Sequence, residues 1–404
     1  MQTSLADFIK DTPEGREADR ILRSCVHCGF CLATCPTYQL LGDELDSPRG
    51  RIYLIKQLLE GYEVTAKTQL HLDRCLTCRA CETTCPSGVT YHRLADIGRG
   101  LVEERVERSV LDKLMRRALR AVLPYGNRFT PLLRLGQTVR GMLPGALRQS
   151  VPPRQQPGPW PKNGHARRML VLEGCVQPAI APDINAASAR VLDRLGIALM
   201  AVPESGCCGA VSYHLNAQAE GLDFMRRNID AWWPFIGEGV EAIVMTASGC
   251  GATVKEYGHL LQDDPVYADK AALVSAMTKD LGEILVAENL AALNIDAGQR
   301  IAFHSPCTLQ HGQKLNGMVE GVLHKLGFTL TSVPDAHLCC GSAGTYSILQ
   351  KNLSMQLKAN KLKALESGRP EQIATANIGC LTQLQGGASR PVRHWIEVVD
   401  AACR

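Results

Sequence analysis

The 404-residue chain contains no run of about 18 apolar residues that could cross a bilayer as a helix. Its N-terminal segment also lacks the apolar core of a secretory signal peptide. We therefore expect the protein to stay on the cytoplasmic side of the membrane. No G-x-G-x-x-G follows a candidate strand and no P-loop is present, so no nicotinamide or flavin dinucleotide site is evident in this chain.

Acidic residues are missing from one long segment. Between Lys113 and Arg168 the sequence has twelve Lys or Arg residues and no Asp or Glu. The pattern predicts one helix over about residues 94–123, with Arg116, Arg117 and Arg120 interleaved among apolar residues, and then a Pro/Gly-rich extended linker. No nucleic-acid-binding motif accompanies the charge, so nucleic acid is not expected as a partner. A solvated linker, a docking face for an acidic subunit and contact with an anionic membrane stay open.

Cysteine, in contrast, is abundant, with 17 residues. In a reducing compartment this number indicates metal or redox chemistry rather than disulfides. The spacing C-x-x-C-x-x-C-x-x-x-C-P occurs twice in the first hundred residues, and it is typical of ferredoxins that hold two 4Fe–4S clusters. The two runs are Cys25, Cys28, Cys31 and Cys35, and Cys75, Cys78, Cys81 and Cys85.

The fourth cysteine of each run is predicted to serve the cluster of the other run, because the chain cannot easily return it to its own cluster. Structural zinc is the alternative, but zinc sites normally use pairs of Cys-x-x-Cys. One predicted cluster therefore has the ligands Cys25, Cys28, Cys31 and Cys85, and the other has Cys75, Cys78, Cys81 and Cys35.

The C-terminal part repeats itself, with 32 positions from a single cysteine to a Cys-Cys-Gly triplet in each half. Short apolar runs alternate with stretches of helix length, which predicts two small α/β subdomains with mostly parallel strands. Neighbouring thiolates can bind adjacent irons, whereas a disulfide between them would be strained. Small buried apolar side chains are the alternative reading. The candidate ligands of further clusters are Cys175, Cys207, Cys208, Cys250, Cys307, Cys339, Cys340 and Cys380.

The predicted fold is a multidomain α+β/α/β chain, in which an α-helical dicluster ferredoxin-like domain precedes two repeated α/β Cys-Cys-Gly subdomains. The expected bounds are 1–123 for the ferredoxin-type domain, 124–167 for the basic linker, 168–298 for the first subdomain and 299–404 for the second.

Segments along the whole chain resemble the iron–sulfur subunits of bacterial glycolate oxidases (glycolate dehydrogenases). These proteins are related to the C subunit of anaerobic glycerol-3-phosphate dehydrogenase and to heterodisulfide reductase. The ferredoxin-type part is shared by many redox complexes and identifies only this broad class of protein. The segments around the Cys-Cys-Gly motifs narrow the resemblance to the glycolate enzymes. The matching segments are RSCVHCGFCLATCPTYQLLGDELDSPRGRIYLIKQLLEG, HLDRCLTCRACETTCPSGV, GCCGAVSYHLNAQ, TASGCGATVKEYG, CTLQHGQKLNG, LCCGSAGTY and TANIGCLTQ.

The resemblance implies an electron-transfer subunit without catalytic residues of its own. Partner subunits containing FAD would oxidise glycolate to glyoxylate, and this chain would pass the electrons to a membrane quinone from the inner face of the cell membrane. Lactate and glycerol-3-phosphate are the alternative substrates of such a complex.

The chain departs from the wider family at Thr253 and Gln383, where the fuller Cys-Cys-Gly pattern ends in a further cysteine. Each repeat keeps four cysteines, which is enough for an ordinary cluster and one short of the non-cubane site of heterodisulfide reductase. Thiol or disulfide reduction at these sites is one alternative function. A scaffold whose C-terminal half has lost its cofactors is another.

Overall fold

The structure is a computed structural model that describes residues 1–145, 148 and 151–403. The chain divides into two compact units. The first comprises Met1–Arg117 and His337–Lys361, and the second comprises Ala118–Ala336 and Leu362–Arg404. Four residues of the predicted linker, 146, 147, 149 and 150, lie outside the described residues.

Helices dominate the described chain, and all strands belong to the second unit. The helices are α1 Pro13–Ser24, α2 Pro36–Leu41, α3 Pro48–Leu59, α4 Ala66–Asp73, α5 Ala80–Thr83, α6 Tyr91–Arg105, α7 Val110–Val122, α8 Gly126–Thr138, α9 Gln177–Ile180, α10 Asp183–Arg194, α11 Ala210–His214, α12 Gln218–Gly237, α13 Ser248–Val254, α14 Tyr257–Leu260, α15 Ala268–Met277, α16 Leu281–Ala287, α17 Met318–Lys325, α18 Tyr346–Leu349, α19 Lys351–Glu366, α20 Ile378–Gln385 and α21 Trp395–Ala402. The strands are β1 Arg167–Val171, β2 Ile197–Ala201, β3 Ile243–Met245, β4 Thr278–Asp280, β5 Arg300–His304, β6 Thr329–Leu330, β7 Gln372–Thr375 and β8 Val392–His394. Short 3₁₀ turns cover Glu44–Asp46, Arg140–Met142 and Leu290–Leu293, and a π-helical turn covers Thr308–Gly312.

Two helices of the first unit start with the same N-cap arrangement. Thr12 caps α1 and Ser47 caps α3, and in both the hydroxyl accepts the N–H of the glycine three residues later at 3.0 Å. A proline at the first helical position supplies a backbone already set for the helix. Those glycines are required, since a Cβ on Gly15 or Gly50 would lie within about 2 Å of a backbone carbonyl oxygen.

The helix predicted over 94–123 is broken in the structure into α6 and α7. Val106 is extended, and Ser109 starts a new helix by accepting the N–H of Asp112 at 3.2 Å. The buried guanidinium of Arg108 holds the break, with bonds of 2.5 Å to Asp73 and 2.6 Å to Glu103. Local capping and ion pairing therefore override the helical periodicity.

Several apolar side chains of helix α7 face outwards, although Leu119 is buried. The side chains of Val110, Leu111 and Leu114 are 80, 79 and 62% exposed. Arg116 instead points inwards to Asp73 and Asp112, at 3.2 and 3.1 Å. Arg120 pairs with Glu220 at 2.9 Å. Two of the three arginines predicted to form a basic helix face, Arg116 and Arg120, are therefore held in ion pairs with acidic residues of this chain.

The second unit contains two four-stranded sheets with every described pair parallel, in the orders β2-β1-β3-β4 and β6-β5-β7-β8. The central strands β1 and β5 carry continuous buried apolar runs, as strands covered on both faces need. The predicted fold class, a helical ferredoxin-type part followed by two parallel α/β repeats, is confirmed.

Part of the predicted extended linker is helical. Helix α8 occupies Gly126–Thr138 even though it contains Pro131. The leucines at 132, 133 and 135 are good helix formers, whereas Pro131 removes one backbone hydrogen bond. Among the residues the structure describes, no helix combines the length and apolarity needed to cross a membrane.

Candidate cluster-binding sites

The two four-cysteine loops have the same backbone shape. In the first loop His27 and Gly29 have positive φ, at 55° and 83°, and in the second Thr77 and Arg79 have φ of 52° and 61°. These positions are the second and fourth after the first cysteine of each run. Left-handed backbone is costly for residues other than glycine, so its repetition indicates that both loops are wound in the same way.

One cavity lies against the first loop. It encloses about 440 Å³, counted to include open solvent at its mouth. Its walls carry the first three cysteines of the first run and the fourth cysteine of the second run, together with Cys81. The structure thus brings together Cys25, Cys28, Cys31 and Cys85.

A second cavity of about 360 Å³, counted in the same way, lies against the second loop. It is lined by the first three cysteines of the second run and by the fourth cysteine of the first run, namely Cys75, Cys78, Cys81 and Cys35. A 4Fe–4S cluster takes four thiolates. Each cavity presents such a set, so the residues present fit two clusters.

The thiols differ in electrostatic surroundings. Burial raises the pKa of Cys31 to about 11 and also raises those of Cys25 and Cys81. At Cys75 burial acts in the same direction, but the positive charges of Arg51 and Arg99 outweigh it and hold the pKa below its usual value. The second cavity therefore lies in a more cationic interior.

The first Cys-Cys-Gly repeat gathers its four cysteines after the carboxyl ends of β1, β2 and β3. Cys207 forms hydrogen bonds with Cys175 and Cys208, and Cys208 bonds in turn with Cys250. These contacts raise the pKa values of Cys207 and Cys250 and lower that of Cys208 well below its usual value. Thiolates are ligands that suit iron, and these four cysteines together form a set of sulfur donors in which one thiolate is stabilised by its neighbours.

The second repeat carries its cysteines in both units. Cys307 follows β5 and Cys380 lies in α20, both in the second unit, whereas Cys339 and Cys340 belong to the first unit. Within the first unit, the Tyr346 hydroxyl donates to the carbonyl of Arg74 at 3.2 Å. This bond attaches the Cys-Cys-Gly segment to the residue that precedes Cys75.

Comparisons with known proteins agree with this geometry. The family model for a 4Fe-4S dicluster domain matches residues 21–89, and the model for a cysteine-rich domain matches residues 169–255 and 301–385. The glycolate oxidase iron-sulfur subunit of Escherichia coli (strain K12) is 60% identical over 403 residues, covering 100% of this chain and 99% of that protein. The chain belongs to the glycolate oxidase iron–sulfur subunit family.

More distant relatives of this family member extend the picture. The protein named "Probable glycolate oxidase iron-sulfur subunit" in Bacillus subtilis (strain 168) is 32% identical, covering 91% of this chain and 89% of its own length. Lactate utilization protein A of Bacillus velezensis is 29% identical over 240 residues, which are 56% of this chain and 96% of that protein. Together these relatives support an electron-transfer role. The predicted cofactors, two 4Fe–4S clusters and iron–sulfur chemistry in the cysteine-rich repeats, are confirmed at the level of the domains.

Several supporting residues of this family member escaped the sequence-based prediction. Asn228 donates to the carbonyl of Cys207 at 2.9 Å, and the Tyr257 hydroxyl donates to the carbonyl of Cys208 at 2.9 Å. Both fix the backbone of the Cys-Cys-Gly turn. Gly209 must be glycine, because its φ is 91° and a Cβ would lie 2.6 Å from the carbonyl oxygen of Gly221.

The second repeat has the same arrangement at Gly341, where φ is 83° and a Cβ would lie 2.6 Å from the carbonyl oxygen of Ser354. Ser354 in turn donates its hydroxyl to the carbonyl of Gly341 at 2.8 Å. The glycines belong to the Cys-Cys-Gly motifs and Tyr257 to the matching segment TASGCGATVKEYG, whereas Asn228 and Ser354 lie outside every matching segment.

Proposed function

We propose that this chain is the electron-transfer subunit of a flavin-dependent glycolate dehydrogenase. Partner FAD subunits oxidise glycolate to glyoxylate, and the electrons pass through this chain towards a membrane quinone. The observation that carries the proposal is the full-length similarity to a glycolate oxidase iron–sulfur subunit, combined with two cavities that each present four cysteines.

The proposed ligands are crossed between the two runs. Cys25, Cys28, Cys31 and Cys85 hold one cluster, and Cys75, Cys78, Cys81 and Cys35 hold the other. The lining of the two cavities supports this division. The clusters supply one-electron redox chemistry, and the protein provides the thiolates, the buried surroundings and the charges.

A further cluster is proposed at the first Cys-Cys-Gly repeat, since its four cysteines form a continuous set of hydrogen-bonded thiols. For the second repeat, the proposal rests on the equivalent sequence positions and on the repeated geometry at Gly341. The proposed ligands there are Cys307, Cys339, Cys340 and Cys380.

The chain is also proposed to lie on the inner face of the cell membrane. Apolar side chains on α7 are exposed, and the segment from Lys113 to Arg168 contains no acidic residue. Exposed apolar side chains next to positive charge are the features of a helix that lies in a membrane interface.

Purification of the tagged complex from its native cell tests the proposed function. Flavoprotein subunits should accompany the chain, and anaerobic glycolate should produce the electron paramagnetic resonance (EPR) signals of reduced 4Fe–4S clusters. Lactate and glycerol-3-phosphate serve as comparison substrates. A chain that purifies without flavoproteins, or clusters that lactate reduces and glycolate does not, would refute the assignment.

A further inference from the structure

A buried ion cluster lies beside the second cavity, within the first unit. Arg51 of α3 is 1% exposed and Asp46 is fully buried. The Arg51 guanidinium donates to Asp46 at 3.3 Å, and the other oxygen of Asp46 accepts from Arg74 at 2.8 Å. The ring nitrogen Nδ1 of His71 lies 3.1 Å from the first of these oxygens.

Every edge of the Arg51 guanidinium has a partner. Nε donates to the carbonyl of His71 at 2.7 Å, and Nη2 also donates to the hydroxyl of Thr37 at 3.1 Å. Nη1 points at Sγ of Cys35, 4.0 Å away. Arg51 lines the second cavity and not the first. Its charge is therefore fixed in place against a cysteine of that cavity.

The surroundings do not cancel this charge. Arg99 is also buried, and its guanidinium donates to the carbonyl of Cys75 at 2.6 Å. Arg51 and Arg74 thus share the carboxylate of Asp46, and Arg99 adds a third guanidinium group at the backbone of Cys75. Arginine stays protonated in proteins, so the interior around this cavity keeps a positive balance.

We propose that Arg51 sets the reduction potential of the cluster held by Cys35, Cys75, Cys78 and Cys81, with Asp46 as its opposing charge. The proposal rests on the ligation put forward above. Reduction adds one electron to the cluster and makes it more negative by one charge. A fixed cation in a weakly screened interior stabilises the reduced form, so Arg51 raises the potential and Asp46 lowers it.

The first cavity provides a matched control. Arg49 lines it and comes from the same stretch of chain, two residues before Arg51. Its side chain is 34% exposed and pairs with Glu44, which is 43% exposed. Solvent screens this pair, so loss of the Arg49 charge should change a potential much less than loss of the Arg51 charge.

The test is an EPR-monitored redox titration of the purified complex with dithionite and mediators. Arg51→Gln should lower the reduction potential of one cluster only. At a fixed solution potential, the ratio of oxidised to reduced cluster should rise at least tenfold, which corresponds to a shift of about 59 mV for one electron. Asp46→Asn should shift the same cluster in the opposite direction. Arg51→Lys, which keeps the charge, should shift it less than Arg51→Gln, and Arg49→Gln should leave it unchanged.

Unchanged potentials in Arg51→Gln at wild-type iron content would overturn the proposal, as would an equal shift of both clusters. If Arg51→Gln loses about four irons, its cluster cannot be titrated, and the potential measured in Asp46→Asn is the test instead. A potential that is unchanged or lower in Asp46→Asn would count against the proposal. The titration does not use glycolate. A failure of the proposed glycolate function would appear separately, as a wild-type complex whose clusters titrate normally but stay oxidised with glycolate.

Discussion

His394 donates a hydrogen bond from Nε2 to the carbonyl of Thr246 at 2.9 Å. This bond joins the last strand of the second repeat to the end of β3 in the first. Nδ1 of the same ring accepts the N–H of Ile396 at 3.4 Å and caps α21. The fully buried ring is therefore neutral, and both its nitrogens are in use.

This arrangement predicts a loss of stability in acid. Burial lowers the pKa of His394 from 6.5 to about 3. Between these values the unfolded chain binds a proton that the folded chain does not, so the free energy of unfolding falls as the pH drops below 6.5. The contribution should reach about 2 kcal/mol at pH 5. His394→Gln keeps a donor and removes the titration, so its denaturant-derived unfolding free energy should fall less steeply than that of the wild type between pH 6.5 and 5. Parallel curves would contradict the prediction.

Crossed ligation makes a specific prediction for single cysteine variants. Cys35→Ser should alter the same EPR signal as Cys78→Ser, because both cysteines line the second cavity. Cys31→Ser should alter the other signal, since it lines the first. Cys403→Ser, outside all the cysteine sets, is the control and should change neither. If Cys35→Ser instead alters the signal that Cys31→Ser alters, each run holds its own cluster.

Spacing alone predicted the two parallel repeats, and it grouped the cysteines that line each of the two cavities, because both follow from strict local patterns. The break at Ser109 could not be predicted, since it depends on Arg108 meeting Asp73 from a distant part of the chain. The inward turn of Arg116 has the same origin. Arg51 lies in the matching segment that contains the first cysteine run, and Asn228 lies outside every matching segment, but only the fold places either residue beside a cysteine.

The first Cys-Cys-Gly repeat should bind iron beyond the amount held by the ferredoxin-type cysteines. Anaerobically reconstituted full-length protein should contain more than about eight irons, the content of two cubanes. Cys207→Ser/Cys208→Ser should remove part of that excess, and the matched variant Cys339→Ser/Cys340→Ser tests the second repeat. The full chain is needed because the first unit includes His337–Lys361. A wild-type content of about eight irons, unchanged in both variants, would favour the scaffold reading.

The exposed apolar side of α7 allows a sharper membrane experiment than its arginines do. Substitution of Arg116 or Arg120 would break internal ion pairs and so disturb the fold itself. Leu111→Glu/Leu114→Glu changes only exposed side chains. Arg20→Glu on α1, whose side chain is 73% exposed, is the control.

We expect the complex to co-sediment with vesicles that contain anionic lipid, and to bind them less as salt increases. Insertion of a leucine side chain contributes about 1.5–3 kcal/mol, so the double leucine variant should bind at least tenfold more weakly, whereas Arg20→Glu should bind like the wild type. Unchanged vesicle binding in the leucine variant would refute the membrane assignment for α7. Loss of the flavoprotein subunits from that variant, with vesicle binding intact, would instead identify this helix face as a subunit interface.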